Sequence, residues 1–318
     1  MKEYDLIIVG AGISGMNAAL KALESGIEKV LILEREENYG GILNQCIHCG
    51  FSLNGEMITG PEVVENIKEQ LDKYNYEMKL KSTVLDVAKN KKVTYINEQD
   101  GISIVKTKAL IIATGCRERY TGSVLIPTSK FTGVFTIGNA HRIITIDGIL
   151  PGKNPVIIAN SKWALILARR VELEGGNVKA LIVNPDSGYK ISDEDRQIIE
   201  GFDINLLENS KLIEVAGRKR VDSVKVIDLK TFVEKEFECD SLFLSVGYYP
   251  EIGMLEKLDI EMDKINKSLK VNNYRTSIEW IFACGNVIYG TRCVEVKEIE
   301  GKLAGTEAHK YLESLKKA

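Results

Sequence analysis

Residues 4–34 read YDLIIVGAGISGMNAALKALESGIEKVLILE, and this stretch decides the fold class. The apolar run at 4–9 predicts a β-strand, and the segment after the glycines predicts a helix that ends at Gly26. The run KVLILE at 29–34 predicts a second strand. Strand, helix and strand in this order form a βαβ unit, so we expect a parallel sheet of the Rossmann type.

Three glycines lie between the first predicted strand and the helix, in the spacing GxGxxG. Gly10 permits a tight turn, Gly12 lets the backbone approach a pyrophosphate, and Gly15 lets the helix pack on the strand. The helix N-terminus offers N–H groups and the positive end of its dipole to phosphate oxygens. Glu34 ends the second strand, at the place where an acidic residue binds ribose hydroxyls. The stretch therefore predicts a dinucleotide site, without deciding between FAD and NAD.

A second βαβ pattern occupies the middle of the chain. Apolar runs at 154–159 and 178–184 predict strands, and residues 161–176 between them predict a helix. No low-complexity linker separates the two units, so we predict an α/β fold with two Rossmann-like nucleotide-binding domains, the second inserted into the first. The first predicted domain comprises residues 1–117 and 246–318, and the second comprises residues 118–245.

The second unit lacks the glycines of the first. Ala159, Ser161 and Ala164 stand at the three glycine positions. Alanine at the third position is compatible with nucleotide binding, but the side chain of Ser161 lies where a pyrophosphate must approach the backbone. We therefore expect this domain to keep its fold and to bind NAD(P)H poorly. The alternative is a modified nucleotide site, in which Lys162 offers its charge to a phosphate.

Composition and charge exclude several classes of protein. The chain of 318 residues is 44% hydrophobic and 27% charged, as expected for a globular protein. Its net charge of −3 gives no electrostatic case for binding nucleic acid or an anionic membrane. The N-terminus lacks the features of a signal peptide, and six cysteines in a chain of this length do not indicate a disulfide scaffold. We therefore expect a cytoplasmic protein with reduced thiols.

Motifs along nearly the whole chain resemble the pyridine nucleotide–disulfide oxidoreductase superfamily, which has two dinucleotide-binding domains. They are GxGxxG at 10–15, GG at 40–41, ATG at 113–115, SVGYYP at 245–250 and TSIEWIFACGN at 276–286. The resemblance implies that the N-terminal site binds FAD without a covalent bond. The cofactor-binding residues that it implies are Gly10, Gly12, Gly15, Glu34, Gly40, Gly41, Ala113, Thr114, Gly115, Gly285 and Asn286. Asn286 stands where the superfamily usually has Asp, and an amide donates as well as accepts, so we expect FAD to be retained but held less tightly.

Three shorter stretches resemble a narrower group, the small flavoprotein component that accompanies bacterial glycerol-3-phosphate-, opine- and amino-acid-type dehydrogenases. They are GGILNQCIH at 40–48, TGPE at 59–62 and LARRVELEGG at 167–176. This resemblance implies an FAD-dependent oxidoreductase subunit that exchanges electrons with a partner dehydrogenase or electron carrier, or a homo-oligomer. Two alternatives stay open: a self-contained NAD(P)H-dependent reductase of a disulfide or small molecule, and a non-catalytic assembly subunit that FAD stabilises.

Cys46 and Cys49 flank His48 just after the paired glycines, beside the flavin if the resemblance holds. In the glutathione-reductase branch a redox pair near this place has the spacing CxxxxC, and in the thioredoxin-reductase branch CxxC lies in the second domain. Residues 133–148 of this chain hold no such pair. On a short helix, residues three apart share a face, so a disulfide is possible, and packing against the flavin is the alternative. These three residues are the catalytic candidates, with His48 as a proton relay or a loop hydrogen-bonding residue.

The other cysteines carry weaker signals. Cys284 and Cys293 form a second candidate pair, while Cys116 and Cys239 are predicted to be packing residues. No spacing supplies the four ligands that zinc or an iron–sulfur cluster normally needs, so we predict no metal site.

Overall fold

Two parallel sheets, flanked by helices and antiparallel strands, organise the chain. A computed structural model describes residues 1–53, 55–119, 131–245, 247–292 and 298–317. The chain divides into unit 1, Met1–Arg117 with Tyr248–Ala318, and unit 2, Glu118–Gly247. The predicted α/β class is confirmed.

The elements follow one another along the chain in three stretches. The first contains β1 (Glu3–Val9), α1 (Ile13–Glu24), β2 (Val30–Leu33), β3 (Phe51–Leu53), β4 (Glu56–Ile58), α2 (Gly60–Leu71), β5 (Glu77–Lys79), β6 (Thr83–Val87), β7 (Lys92–Asn97), β8 (Gly101–Ile112) and β9 (Cys116–Glu118). The second contains β10 (Val134–Thr136), α3 (Ile137–Thr145), β11 (Pro155–Ala159), α4 (Lys162–Leu173), β12 (Ala180–Val183), α5 (Asp193–Gly201), β13 (Leu206–Glu208), β14 (Ser210–Gly217), β15 (Val221–Asp228), β16 (Glu234–Glu238) and β17 (Ser241–Leu244). The third contains β18 (Tyr248–Pro250), β19 (Ile281–Ala283) and α6 (Glu298–Lys317).

Unit 1 is built on a seven-stranded sheet in the order β5-β2-β1-β8-β7-β6, with β19 also paired to β8. Strands β5, β2, β1, β8 and β19 run parallel, and β6, β7 and the first half of β8 form an antiparallel meander. The parallel strands are buried on both faces, which explains the uninterrupted apolar runs of β1 and β2. Their carboxyl ends therefore share one edge of the sheet, where the glycine loop follows β1.

Helices α1 and α6 approach closely on one face of this sheet. A β-carbon at Gly301 would lie 2.2 Å from the carbonyl oxygen of Ser14, and one at Gly305 would lie 2.5 Å from that of Ala18. No larger residue fits at either position without moving a backbone. This contact fixes the C-terminal helix on the helix that begins at the glycine loop.

Unit 2 has a five-stranded parallel sheet in the order β10-β17-β11-β12-β13 and a separate antiparallel sheet, β14-β15-β16. Alternate residues of β12 point to opposite faces, as strand geometry requires. Leu181 packs into a core with α3, α4 and α5, whereas Ile182 packs into a core with β14 and β15. The parallel sheet is thus covered by helices on one face and by strands on the other.

Two segments differ locally from what their sequences indicate. The stretch PEVVENIKEQLDKY at 61–74 predicts a helix, but α2 begins one residue earlier, where Thr59 and Glu62 form a capping box, and it ends at Leu71. A disulfide between Cys46 and Cys49 was considered possible if their segment formed a short helix. Instead, a 3₁₀ turn at Gly41–Gln45 ends at Cys46, and residues 46–50 form neither helix nor strand.

Candidate functional site

The glycine loop after β1 has a shape that side chains would prevent. Gly10 has a φ of 102°, and a β-carbon there would lie 2.5 Å from the carbonyl oxygen of Ala113. A β-carbon at Gly15 would lie 1.9 Å from the carbonyl oxygen of Gly10. The turn is therefore tight, and the first turn of α1 packs directly against it.

Gly12 is different, because a β-carbon there would meet no atom within 4 Å in the described part of the chain. Its side-chain direction points into open space at the N-terminus of α1, where no side chain of the described residues caps the helix. The first turn of α1 also carries no acidic residue. Free N–H groups and the helix dipole therefore face a space that a phosphate can enter.

The paired glycines form the second wall of this space. The N–H of Gly40 donates to the carbonyl of Ala11 over 2.7 Å, and a β-carbon at Gly41 would lie 3.1 Å from the Cα of Gly12. The two loops therefore cross in direct backbone contact. The structure thus brings the glycine loop after β1 and the pair Gly40 and Gly41 together, as their assignment to one site requires.

Glu34 lies level with the glycine loop and is 7% exposed. Its Oε2 accepts the N–H of Ala11 over 2.6 Å, and its Oε1 accepts the N–H of Glu36 over 2.9 Å. These two bonds hold the carboxylate against the loop and leave it further lone pairs, because a carboxylate accepts about four hydrogen bonds. The position and the remaining acceptor capacity suit a ribose diol.

The segments ATG and Gly285-Asn286 lie side by side at the same edge. The N–H of Cys284 donates to the carbonyl of Ile112 over 3.1 Å, which places the turn after β19 next to the end of β8. Thr114 donates its hydroxyl to the carbonyl of Glu251 over 2.7 Å, and the N–H of Glu251 donates to Gly115 over 3.1 Å. These contacts fix the ATG turn in its position within unit 1.

Two features of this edge were missed in the sequence. Cys116 was predicted to be a packing residue, but its thiol donates to the carbonyl of Asn286 over 3.0 Å and so links the two segments. Glu251 pairs with both Arg35 and Arg117, the former over 3.0 Å. Arg35 directly follows Glu34, which places this charge network next to the proposed ribose-binding acid. Only tertiary contacts bring these residues together, since they are far apart in the sequence.

The residues of unit 1 fit FAD. The turn that only glycine permits, the uncapped helix N-terminus, the open direction at Gly12 and the buried carboxylate of Glu34 are the features that bind a dinucleotide pyrophosphate and ribose. When bound, FAD supplies the two-electron chemistry of its isoalloxazine ring.

Cys46 and Cys49 have unequal surroundings. Cys46 is fully buried, and its thiol donates to the carbonyl of Ile42 over 3.4 Å. Cys49 is exposed. Neither forms a disulfide within the described residues. A β-carbon at Gly60 would lie 2.9 Å from the Cβ of Cys46, so Cys46 packs against the start of α2.

His48 lies between the two cysteines with its ring centre 6.0 Å from that of Phe51. Phe51 begins the short β3–β4 hairpin, in which Phe51 pairs with Ile58. Large apolar side chains of this region are exposed, among them Ile42, Ile47 and Met57. The cysteine segment is thus a surface loop with one buried anchor, Cys46.

The corresponding loop of unit 2 has a different backbone. Ala159 ends β11, and it is absent from the described non-glycine residues with positive φ. It therefore does not reproduce the conformation of Gly10. Ala164 is fully buried and carries the methyl group that Gly15 lacks. Helix α4 consequently cannot lie as close to this loop as α1 lies to the loop of unit 1.

Ser161 is the N-cap residue of α4, with φ of −160° and ψ of 163°. Its hydroxyl is buried and has no hydrogen-bond partner among the described residues. Asn160 beside it accepts a hydrogen bond from Ser245, at the end of β17. The orphaned hydroxyl and the N–H groups of an uncapped helix without an acidic first turn are hydrogen-bond donors that fit an anionic group.

The charge of Lys162 is not available to the loop after β11, because two carboxylates lie close to its ammonium group. Its ammonium lies 3.6 Å from a carboxylate oxygen of Glu194 and 3.8 Å from Oδ1 of Asp195. Asp195 is 2% exposed, and its Oδ2 accepts the hydroxyl of Tyr189 over 3.1 Å. The carboxylates at the start of α5 therefore compensate the charge of Lys162.

Unit 2 contains a single cysteine, Cys239. It is buried, and burial raises the pKa of its thiol to about 12. The first turn of α3, within the segment examined for a CxxC pair, instead receives the carboxylate of Glu118, which accepts the N–H of Gly138 over 2.8 Å. Burial raises the pKa of Glu118. Unit 2 therefore holds no dithiol.

The family model described as pyridine nucleotide-disulphide oxidoreductase matches residues 4–304. The chain belongs to this family. It is an FAD-dependent oxidoreductase, and the resemblance of its motifs to the superfamily is confirmed.

Full-length relatives give the same family. The chain is 28% identical over 320 residues to a thioredoxin reductase of Treponema pallidum (strain Nichols), covering 98% of each protein. It is 27% identical over 293 residues to a thioredoxin reductase of Borreliella burgdorferi, covering 89% of this chain and 84% of the relative. The crystal structure of T. acidophilum thioredoxin reductase superposes with a TM-score of 0.79 at 24% identity over the whole of both chains, which shows a shared fold.

The narrower resemblance to dehydrogenase-associated flavoproteins is not supported by these relatives. Two of the stretches that carried it have structural roles in this chain. TGPE forms the capping box and first turn of α2, and LARRVELEGG is the C-terminal half of α4 with the turn that follows it. Such patterns are required by the helices themselves and therefore carry little information about a subfamily.

The described residues contain no helix that is long and apolar enough to cross a membrane. They also contain no group of three or more His, Cys, Asp or Glu side chains placed to hold a metal ion. Cys293, one member of the second candidate cysteine pair, lies outside the described residues, so that pairing stays a prediction. Cys284 is fully buried, and burial raises the pKa of its thiol.

Proposed function

We propose that this protein is a self-contained FAD-dependent reductase, in which a nicotinamide dinucleotide donates hydride and a disulfide or another small molecule is reduced. The observation that carries the proposal is the full-length match to thioredoxin reductases, 98% of each protein for the Treponema relative. A self-contained enzyme needs both dinucleotide units, and both βαβ units are present in this chain.

In this proposal the residues of unit 1 bind and orient FAD. Gly10 and Gly12 admit the pyrophosphate to the backbone, the N-terminus of α1 donates N–H groups to it, and Glu34 accepts the ribose hydroxyls. Gly41, in contact with Gly12, closes the opposite side of the loop. Ala113, Thr114, Gly115, Gly285 and Asn286 line the remainder of the same edge.

The reductant is assigned to unit 2. The hydroxyl of Ser161 and the uncapped N-terminus of α4 would take the pyrophosphate in place of a glycine-lined turn. Because the turn lacks the Gly10 conformation, fewer backbone groups can approach the phosphates. We therefore expect productive but weak dinucleotide binding, which is milder than the poor reduction predicted from the sequence alone.

Electrons must reach the acceptor by a different route from that in an enzyme whose second domain carries a dithiol. Unit 2 has only Cys239, so a disulfide relay of that kind is impossible in this chain. We infer that FAD, when bound, would supply electrons to the acceptor without a dithiol relay, with His48 facing the acceptor and the buried Cys46 anchoring the loop. Cys49 is exposed and stays available for exchange with a disulfide substrate.

The decisive experiment is an anaerobic titration of the FAD-loaded protein with NADH and with NADPH while the flavin absorbance is recorded. Full bleaching is expected only with an excess of nucleotide, with a half-saturating concentration well above micromolar. A flavin that stays oxidised at millimolar concentrations of both would overturn the proposal. Dithionite reduction serves as the control that the flavin is reducible.

Two observations favour a second candidate, a flavoprotein that receives its electrons from a partner protein. The cysteine loop exposes Ile42, Ile47 and Met57 around Cys49, and the glycine loop of unit 2 is incomplete. Under this candidate NADH and NADPH would both fail, while dithionite would reduce the flavin. A non-catalytic assembly subunit would differ again, because its flavin would not be reoxidised by any protein partner or small acceptor.

A further inference from the structure

The turn after β12 occupies the place where a dinucleotide site selects its adenine ribose. In unit 1, Val9 pairs with Leu33 and Glu34 follows, so the acid lies level with Gly10. In unit 2, β11 and β12 end at the pair Ala159 and Val183, as β1 and β2 end at Val9 and Leu33, so Asn184 takes the place that Glu34 holds in unit 1. The ribose-binding acid of the pattern is thus replaced by asparagine, and the first carboxylate at this edge, Asp186, comes two residues later.

Those residues form a fixed turn. The side-chain oxygen of Asn184 accepts the N–H of Asp186 over 3.0 Å and caps the short 3₁₀ turn Pro185–Ser187. Asp186 itself is exposed. The cap uses the backbone of Asp186 and not its carboxylate, so the carboxylate can accept a hydrogen bond from a ligand.

The surrounding charge is negative. Residues 184–195 contain the carboxylates of Asp186, Asp193, Glu194 and Asp195, against a single cation, Lys190. Lys162, the nearest cation of the loop, lies between Glu194 and Asp195. Oδ1 of Asp195 is buried and accepts no hydrogen bond within the described residues, so the compensation by Lys162 is incomplete.

We propose that the turn Asn184–Asp186 selects NADH over NADPH, with the carboxylate of Asp186 accepting the ribose 2′-hydroxyl. A 2′-phosphate requires a cation such as arginine at this place, whereas an acid there accepts the 2′-hydroxyl of NAD. A 2′-phosphate brought beside the carboxylate of Asp186 would be repelled. The inference rests on the proposed function, because it assigns the nucleotide that the reductase uses.

The electrons and protons of the redox step that NADH would drive balance. One hydride, two electrons and one proton, leaves C4 of the dihydronicotinamide, which becomes oxidised NAD⁺. FAD held by Gly10, Gly12 and Glu34 would supply the acceptor for this hydride and its two electrons, and solvent would supply the further proton of the fully protonated reduced form. No other oxidant or reductant enters this half-reaction.

The test separates binding from reduction. Calorimetry on the FAD-loaded protein compares ADP-ribose with 2′-phospho-ADP-ribose, two probes that differ only in the 2′-phosphate. Anaerobic stopped-flow then compares the second-order rate constants for flavin reduction by NADH and NADPH. We expect at least about tenfold tighter binding of ADP-ribose and at least about tenfold faster reduction by NADH, equivalent to about 1.4 kcal/mol.

The variant Asp186→Arg reverses the charge of the turn and keeps its backbone cap. It should shift both preference ratios at least about tenfold toward the phosphorylated nucleotides. Asp222→Arg makes the same charge change at an exposed position on β15, in the separate antiparallel sheet, and should leave both ratios unchanged.

The outcomes are distinguishable. Tighter binding of the phosphorylated probe by wild type, or an unchanged ratio in Asp186→Arg, overturns the selectivity and leaves the reductase standing. Absence of binding by both probes, with no reduction by either nucleotide, overturns the proposed function and this inference together.

Discussion

The two βαβ units of this chain share an order of elements and differ in the loop that a dinucleotide would contact. In unit 1 the loop is Gly10, Gly12 and Gly15, and the backbone adopts a conformation that excludes β-carbons at the first and third positions. In unit 2 alanine and serine replace these glycines, and the last residue of β11 is ordinary extended backbone. The sheet and helix form in both cases, because burial of their apolar faces does not depend on the loop.

The difference shows which glycines are required for the packing of the fold and which are required for binding the ligand. A β-carbon at Gly15 meets backbone at 1.9 Å, whereas one at Gly12 meets nothing within 4 Å in the described chain. The first constraint is internal packing, and the second appears only when a pyrophosphate is bound. Substitutions at matched positions in the two units can therefore separate stability from binding.

The largest effect is expected for Gly15→Ala. The new methyl group would overlap the carbonyl of Gly10, so α1 must move away from β1 at a cost of about 3 kcal/mol, the upper end of the usual range for overpacking. The measurement is urea unfolding followed by circular dichroism. Ala164→Gly, the matched change in unit 2, should cost only about 1–2 kcal/mol, from lost helix propensity and a lost buried methyl group. Equal effects of the two changes would show that the loops do not differ in packing.

Gly12→Val should lose FAD without unfolding the protein. Its side chain enters the space that the pyrophosphate requires, and it contacts no described protein atom at its β-carbon. We expect at least about 100-fold weaker FAD binding, about 2.7 kcal/mol, and a nearly colourless protein with native circular dichroism. Ser161→Val, the matched change in unit 2, should purify with full yellow colour. If Gly12→Val retained stoichiometric FAD, FAD would not bind at this loop.

Ser161→Ala is expected to have a moderate effect on the nucleotide. It removes the orphaned hydroxyl and keeps the β-carbon, so the dissociation constant for NADH in stopped-flow reduction should rise about five- to tenfold, as for one lost hydrogen bond of about 1 kcal/mol. The limiting rate of reduction should stay the same, since the hydroxyl is assigned to the pyrophosphate. A lower dissociation constant in the alanine variant would instead identify Ser161 as an obstruction, as the sequence alone suggested.

The sequence was sufficient to predict those parts of the molecule that depend on residues close together in the chain. The glycine spacing, the flanking apolar runs and Glu34 predicted a loop that the structure assembles, because each depends on neighbours within one βαβ unit. The bond from Cys116 to Asn286 and the pairing of Glu251 with Arg35 join segments more than 150 residues apart, and no local pattern contains them. The narrower family resemblance failed for the opposite reason, since helix-capping residues recur in unrelated helices.

The smallest effect is expected at the cysteine loop, for the double change Cys46→Ser and Cys49→Ser. The two thiols do not share a helical face, which a disulfide on a short helix would require, since the 3₁₀ turn ends at Cys46, and one thiol is buried while the other is exposed. A dithiol–disulfide couple needs Cβ atoms about 3.8 Å apart, and it would require this loop to rearrange. We therefore predict that the cysteines lie near the flavin without forming an obligatory couple.

Anaerobic reductive titration measures this directly, because a flavin accepts two electrons and a flavin with a disulfide accepts four. Wild type and the double variant should both take up about two electrons per flavin, and the variant should show only a small shift of the flavin spectrum. The serine hydroxyl is slightly smaller and more polar than the thiol, and it can donate to the carbonyl of Ile42 as Cys46 does, so the buried position should tolerate it at a cost of about 1–2 kcal/mol in stability. Uptake of about four electrons by wild type and two by the variant would establish a working dithiol centre in unit 1. It would also replace direct reduction of the acceptor by the flavin with a relay through Cys49.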